Sequence, residues 1–215
     1  MIFTDSVPQP DAAVSEQVSN LQRLFPPHPG AYSVIDRIEG TTKEAPQRRG
    51  AAEREAYAVH LSPTACSGIG GLGMYLGQPV QLEGLKEPVT VWVTSFVALD
   101  FDLDSVQKVN TALSDTLVGL NINAYLTIGT TGRGAHLFIF FDEPLRQATA
   151  YRFVMLLQKM AEDAGLGTPE VRPSSAAKLG SPIFLPYRGA DKDGYGFNPL
   201  LDASDDLRPI ALLDA

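Results

Sequence analysis

Two carboxylates, Asp100 and Asp102, close the apolar run Val97-Ala-Leu-Asp-Phe-Asp102. Side chains alternate along a β-strand, so the i, i+2 spacing puts Asp100 and Asp102 on one face and Leu99 and Phe101 on the other. Two carboxylates converging on one face repel each other unless a cation lies between them, and hard Mg2+ or Mn2+ takes carboxylate oxygens. Divalent ions held this way serve phosphate chemistry, nucleotidyl transfer above all, in which an attacking hydroxyl is activated and pyrophosphate leaves. Such a site wants a third acid nearby, and Glu170, at the start of a later strand, is the candidate. Asp104 reads instead as part of the turn before a helix capped by Ser105.

A second segment, Thr131-Gly-Arg-Gly-Ala-His136, runs into the apolar Leu137-Phe-Ile-Phe-Phe141. Its glycines, Gly134 among them, let backbone amides and Arg133 approach a phosphate, with His136 where loop becomes strand. Lys178 and Arg188 flank the last strands as further candidates for phosphate contact. Each of these residues has a plainer reading: Asp-x-Asp also marks polar strand ends, a single histidine is often a hydrogen-bonded core residue, and isolated cations decorate surfaces.

The elements that must position these residues follow from periodicity and punctuation. Residues 11–25 read as an amphipathic helix with Val14, Val18, Leu21 and Phe25 on one stripe and Pro26-Pro27 as the stop. Tyr32–Ile38 reads as a strand, 41–54 as a polar loop, and 64–77 as a glycine-rich tract. Val89–Val93 and Phe96–Asp102 read as two strands. A helix capped at Ser105 carries Val106, Val109, Leu113, Leu117 and Leu120. Strands Ala124–Ile128 and Leu137–Phe141 flank the Gly129–Ala135 loop. Pro144 then opens a helix with Phe153, Leu156, Leu157, Met160 and Ala164 inward, stopped by Gly165. Short strands follow at Glu170–Val171 and Ile183–Leu185.

From residue 89 the order β-β-α-β-β-α-β-β suits an α+β sheet with helices on one face, close to the split βαβ arrangement. The expected organisation is an N-terminal helical and mixed subdomain over 1–88 and an RRM-like catalytic core over 89–215, together one domain.

The 215 residues are 44% hydrophobic, enough for a folded globular chain. Residues 1–20 contain Asp5, Asp11 and Glu16 and do not read as a signal peptide, and no stretch approaches the roughly 20 apolar residues of a membrane span. Cys66 is the one cysteine, which excludes an internal disulfide and a cysteine zinc site. A cytoplasmic setting without membrane contact is expected. The net charge of −8 argues against a protein that coats nucleic acid, while leaving room for a local grip. Lys43, Arg48, Arg49 and Arg54 crowd one segment, so Arg48, Arg49 and Arg54 are the candidates for DNA contact, with a solvated loop as the alternative.

Taken in order, Leu99-Asp100-Phe-Asp102, Thr131-Gly-Arg-Gly-Ala-His136, Glu170-Val-Arg-Pro173 and Leu179-Gly-Ser-Pro-Ile-Phe-Leu-Pro186 resemble the archaeo-eukaryotic primase superfamily over about residues 60–190. Within it the likeness is to bacterial and phage primase-polymerases, including the primase domain of the TOTE conflict systems. The resemblance implies that Asp100, Asp102 and Glu170 hold Mg2+ or Mn2+ and that His136 contacts the phosphates of the incoming nucleotide. The serine of the family's second motif has no counterpart two residues before His136, where Gly134 stands; Thr131 partly takes its place. His60-Leu61 and Ser67-Gly-Ile-Gly resemble the segment before the catalytic core. The implied activity is that of a DNA primase-polymerase using a single-stranded DNA template and NTP or dNTP, alongside a helicase domain or protein, in a bacterium or a phage-infected host. Two other classes stay open: a catalytically inactive nucleotide- or DNA-binding module of the same fold, and a metal-dependent phosphodiesterase or nuclease.

Overall fold

The computed structural model describes residues 12–39, 42–62, 70–82, 84, 87, 89–129, 132–190 and 193–214. In chain order the elements are α1 (Ala12–Leu24), β1 (Ala31–Val34), β2 (Arg37–Glu39), β3 (Thr42–Glu44), β4 (Gln47–Arg49), α2 (Arg54–Leu61), β5 (Leu72–Met74) and β6 (Gln78–Leu82). There follow β7 (Val89–Phe101), α3 (Val106–Gly119), β8 (Tyr125–Ile128), β9 (Ala135–Arg146), α4 (Gln147–Asp163), β10 (Glu170–Arg172), β11 (Ile183–Phe184), β12 (Leu200–Asp202) and β13 (Arg208–Ile210).

The β-branched and aromatic residues of β7 make it the axis of the larger sheet, whose order is β10-β7-β9-β8-β12-β13. Within the unit β7-α3-β8-β9-α4-β10, the strand order is fourth, first, third, second, and each neighbouring pair is antiparallel. This is the split βαβ order, and the fold class is α+β as expected. The hairpin partner β6 pairs with the first half of β7. β12 and β13, which the sequence reading did not anticipate, extend the sheet beyond β8.

One face of this sheet is covered by the two helices. Ser105 accepts a hydrogen bond from the Lys108 N–H at 3.3 Å and starts α3, which buries Val106, Val109, Leu113 and Leu117 against Val97, Leu99, Leu137 and Ile139. Leu120, expected on the same stripe, is the solvent-exposed cap. In α4 the buried face is Gln147, Ala150, Val154, Leu157 and Ala161, whereas Leu156 is exposed. The expected face was rotated because it followed the largest side chains. Alanines at 150 and 161 let the helix backbone come close to the sheet, and packing volume decides the orientation.

Pro144 does not open α4 but lies inside β9, where the pairing with β7 slips: Thr94 faces Leu145, while Phe96 faces Phe140. A residue lacking an N–H fits such an interrupted ladder. The slip also makes β7 one bent strand where two were expected, ending at Phe101.

The other face packs against a lobe built from α1, α2 and the sheet β11-β5-β1-β4. Phe25, just beyond α1, meets Phe96, Phe138 and Phe140 edge-on at centroid distances of 5.2, 5.6 and 5.5 Å. The tract 41–54, expected to be a loop, carries β3 and β4. The chain also crosses position 88 in both directions: β6 joins the larger sheet, and β11 returns to pair with β5. Of the glycine-rich tract, residues 63–69, with Cys66 and Ser67, lie outside the described residues. No helix among the described residues is long and apolar enough to cross a membrane.

Candidate active site

The sheet register aligns three of the residues singled out by type. Glu170 of β10 stands opposite Asp100 of β7, Asp100 opposite His136 of β9, and His136 opposite Thr127 of β8. Opposed residues of an antiparallel ladder point to the same face, and neighbouring strands lie about 4.8 Å apart. Glu170, Asp100, His136 and Thr127 therefore form one row across four strands. The next row on that face, Arg172, Ala98, Phe138 and Tyr125, leads into the apolar layer under α1. The polar row thus sits at the end of the face shared with the N-terminal lobe, where the core gives way to solvent.

The His136 ring is buried, and its Nε2 lies 3.2 Å from Asp100 Oδ1, with Asp100 18% exposed. The other ring nitrogen, Nδ1, is buried without a hydrogen-bond partner among the described residues. Such an orphan costs about 1–3 kcal/mol and calls for a reason. Thr127 is fully buried, and its hydroxyl donates to Asn198 O at 2.9 Å.

Glu170 is exposed, and its Oε2 accepts from Arg172 Nη2 at 2.6 Å. Arg172 is itself buried and donates also to Pro182 O at 3.1 Å and Val171 O at 3.0 Å. Asp102 is one residue past the end of β7, so alternation no longer directs it; it lines a cavity of about 410 Å3 with Ser105, Arg133 and Gly134. Asp104 is structural, as expected: its Oδ1 lies 2.5 Å from Lys108 Nζ and its Oδ2 accepts from Gly167 N–H at 2.8 Å. The Lys108 hydrogen bond holds its carboxyl below the usual carboxylate range.

Among the described residues no three His, Cys, Asp or Glu side chains gather closely enough to hold a metal ion. The donor chemistry nevertheless fits a hard divalent cation, because Asp100 and Glu170 are laterally adjacent carboxylates on one face and Asp102 follows Asp100 by two residues. In this conformation Glu170 is turned to Arg172 and Asp100 to His136.

The β8–β9 connection is a tight glycine turn in which Gly132 N–H donates to Gly129 O at 2.9 Å and Gly129 N–H to Gly134 O at 3.3 Å. Gly134 has φ of 69°, and a Cβ there would lie 2.0 Å from Phe101 O. Only glycine lets the loop press against the end of β7. Arg133 is exposed beside it, while Thr131 lies outside the described residues.

Arg188, read from sequence as a flanking cation, is buried, with its guanidinium carbon 4.5 Å above the Phe197 ring. Its N–H donates to Asn198 Oδ1 at 2.9 Å, so Asn198 links Arg188 to Thr127 and hence to the polar row. Lys178 is exposed on the loop after β10, which Gln147 at the start of α4 fastens by donating to Ser175 O and Lys178 O at 2.7 and 2.8 Å. Arg172, Asn198 and Phe197 had drawn no role from sequence. Arg172 carried a signal, its i, i+2 spacing from Glu170; the other two carried none.

The basic run belongs to the N-terminal lobe and is largely engaged there. Arg48 Nη2 lies 2.7 Å from Asp36 Oδ2, and Arg54 donates to Ser15 O and Ser15 Oγ at 2.6 and 2.8 Å, fastening α2 to α1. Arg48 and Arg49 are consecutive on β4 and so point to opposite faces, with Arg49 exposed.

Residues 85–188 match the model of the family described as TOTE conflict system, Archaeo-Eukaryotic Primase domain. That stretch contains Asp100, Asp102, His136, Glu170, Lys178 and Arg188, and leaves out Arg48, Arg49 and Arg54. Among solved structures, the polymerase domain from Mycobacterium tuberculosis ligase D in complex with DNA is similar, with 12% identity and a TM-score of 0.49 over 93% of this chain and 84% of that chain. No match is found among curated proteins.

Proposed function

The chain belongs to the archaeo-eukaryotic primase superfamily, and from that premise we propose that it is a DNA primase-polymerase, joining NTP or dNTP on a single-stranded DNA template. Family and fold support the coarser statement, a nucleotidyltransferase or primase-like function. The observation that carries the finer reading is the row Glu170–Asp100–His136, two acids and an imidazole laterally adjacent on three strands.

In this reading Asp100, Asp102 and Glu170 hold Mg2+ or Mn2+. Held by these carboxylates, such a cation would supply the positive charge that activates a 3′-hydroxyl and offsets the charge of the leaving pyrophosphate. His136, one strand over from Asp100, binds the triphosphate, and a phosphate oxygen or bridging water satisfies its orphan Nδ1. Arg133 on the glycine turn, Arg188 beyond Thr127 and Lys178 on the loop after β10 supply further positive charge for the triphosphate. Stabilisation is mainly electrostatic, so removing charge lowers rate more than it lowers folding stability.

The test is incubation of the protein with a single-stranded template, labelled nucleotides and Mn2+. Longer labelled products support the reading. Shortened template points to a nuclease, and no product to an inactive binding module.

A further inference from the structure

The geometry points to Phe197 as a positioning residue: its ring carries the Arg188 guanidinium and braces it against the glycine turn, aiming that cation at the phosphates of the incoming nucleotide. The inference rests on the nucleotidyl-transfer reading and extends it to a residue outside the matched family segment.

Phe197 is 42% exposed and belongs to neither apolar core. A ring only partly covered and outside both cores adds less to folding than a core ring, and its contacts say what its place serves. Three contacts define that place. The Arg188 guanidinium carbon stands 4.5 Å from the ring centroid. The Phe197 N–H donates to Arg188 O at 2.9 Å, so ring and cation belong to two paired backbone segments. The ring edge also reaches the glycine turn, where a Cβ on Gly132 would lie 3.8 Å from Phe197 Cζ.

The backbone around Arg188 is held in an unusual shape. Tyr187 has φ of 65°, a conformation in which a bulky side chain is strained. That turn is clamped on both sides: Tyr187 N–H donates to Asn198 O at 2.9 Å and Gly189 N–H to His60 O at 2.8 Å. Strain held by several independent bonds at a candidate site is expected where a side chain must be aimed. A ring against the guanidinium holds the cation without using its five N–H donors, which stay available to phosphate oxygens. Phe197 thus holds Arg188 in place and ties it to the turn that leads into His136.

The experiment is calorimetric titration of the full chain in Mg2+ with two probes, inorganic tripolyphosphate and ATP, using wild type, Phe197→Leu and Phe197→Tyr. Wild type binds both probes. Phe197→Leu weakens both by the same factor, about five- to thirtyfold, because Arg188 is no longer held in place before the phosphates arrive. Phe197→Tyr keeps the π face and stays within about twofold; Phe197→Leu loses a contact already made in the unliganded fold and melts somewhat lower, with its circular dichroism unchanged. In nucleotide incorporation, Phe197→Leu raises KM more than it lowers kcat. A loss confined to ATP overturns the inference, since it assigns the ring to base stacking. Equal affinities for wild type and Phe197→Leu also overturn it and leave the function standing. A wild type that binds neither probe removes the nucleotidyl-transfer reading and this inference with it.

Discussion

His60 and His136 are buried almost equally, at 1% and 3% exposure, yet their surroundings differ in kind. His60 Nδ1 accepts from Leu72 N–H at 3.0 Å and its Nε2 donates to Pro186 O at 2.7 Å, so the ring rivets α2 to β5 and to the turn before Arg188. Burial pushes its pKa down to about 4, so it stays neutral near pH 7. His136 faces a carboxylate with one nitrogen and leaves the other without a partner among the described residues. Burial alone therefore does not separate a structural histidine from a reactive one. Hydrogen bonding differs: the His60 ring is satisfied by backbone at both nitrogens, whereas His136, like His28 with its unpartnered Nε2, keeps one nitrogen unmet among the described residues, and only His136 stands beside a carboxylate of the row.

The largest expected effect lies on the reactive side of that contrast. Asp100→Ala removes a proposed direct ligand of the cation and drops incorporation on the order of a thousandfold, while circular dichroism and melting report an intact fold. Retained activity would place the cation elsewhere.

Next come the two histidines, which exchange symptoms. His136→Ala lowers kcat/KM by roughly ten- to over a hundredfold through loss of a hydrogen bond to a charged group, with little change in melting. His60→Ala strands Leu72 N–H and Pro186 O in the core and costs about 2–5 kcal/mol, read as a lower denaturant midpoint. If the symptoms appear the other way round, the contrast is wrong.

The contrast also has a pH signature. His60 has a folded pKa near 4 and an unfolded value of 6.5, so the unfolded chain binds the proton first as pH falls. Stability is whole above about pH 6.5 and declines toward pH 4, by up to about 3 kcal/mol. His28, also lowered by burial, adds to the same slope. Asp104, whose carboxyl is lowered by Lys108, loses its contribution only further down, as pH falls through its folded pKa. Denaturant midpoints at pH 7, 5.5 and 4 test this, and a folded His60→Gln variant flattens the upper window.

The smallest effects belong to the basic run. Arg54→Ala loses its bonds to Ser15 and destabilises the protein by about 1 kcal/mol or less, without changing the salt dependence of single-stranded DNA binding. Arg49→Ala reduces the log–log salt slope by about 0.7 if that side chain meets a phosphate. A filter-binding titration across salt concentrations separates the two.

The proposed site residues were legible because their signals are local: an i, i+2 acid pair at the end of an apolar run, and glycines before a histidine. The row that joins Glu170 to Asp100 and His136 was not, since register is a property of paired strands. The face of α4 was misread because a hydrophobicity pattern ranks Leu156 above Ala150, whereas close packing against the sheet selects the alanine. The charge cluster at 48–54 looked like one patch. Alternation on β4 and the reach of Arg54 to α1 divide it, and neither shows in composition. Asn198 and Phe197 sit in a tract of Gly, Asp and Pro with no periodicity, where only the folded chain reveals what they hold.

The measurement closest to the central claim is template-dependent nucleotide incorporation in Mn2+ by wild type, Asp100→Asn and Glu170→Gln side by side. The account predicts extension by wild type and its loss in both variants, because both acids of the row hold the same ions. Extension that survives in Glu170→Gln, or a wild type that shortens the template, would contradict it.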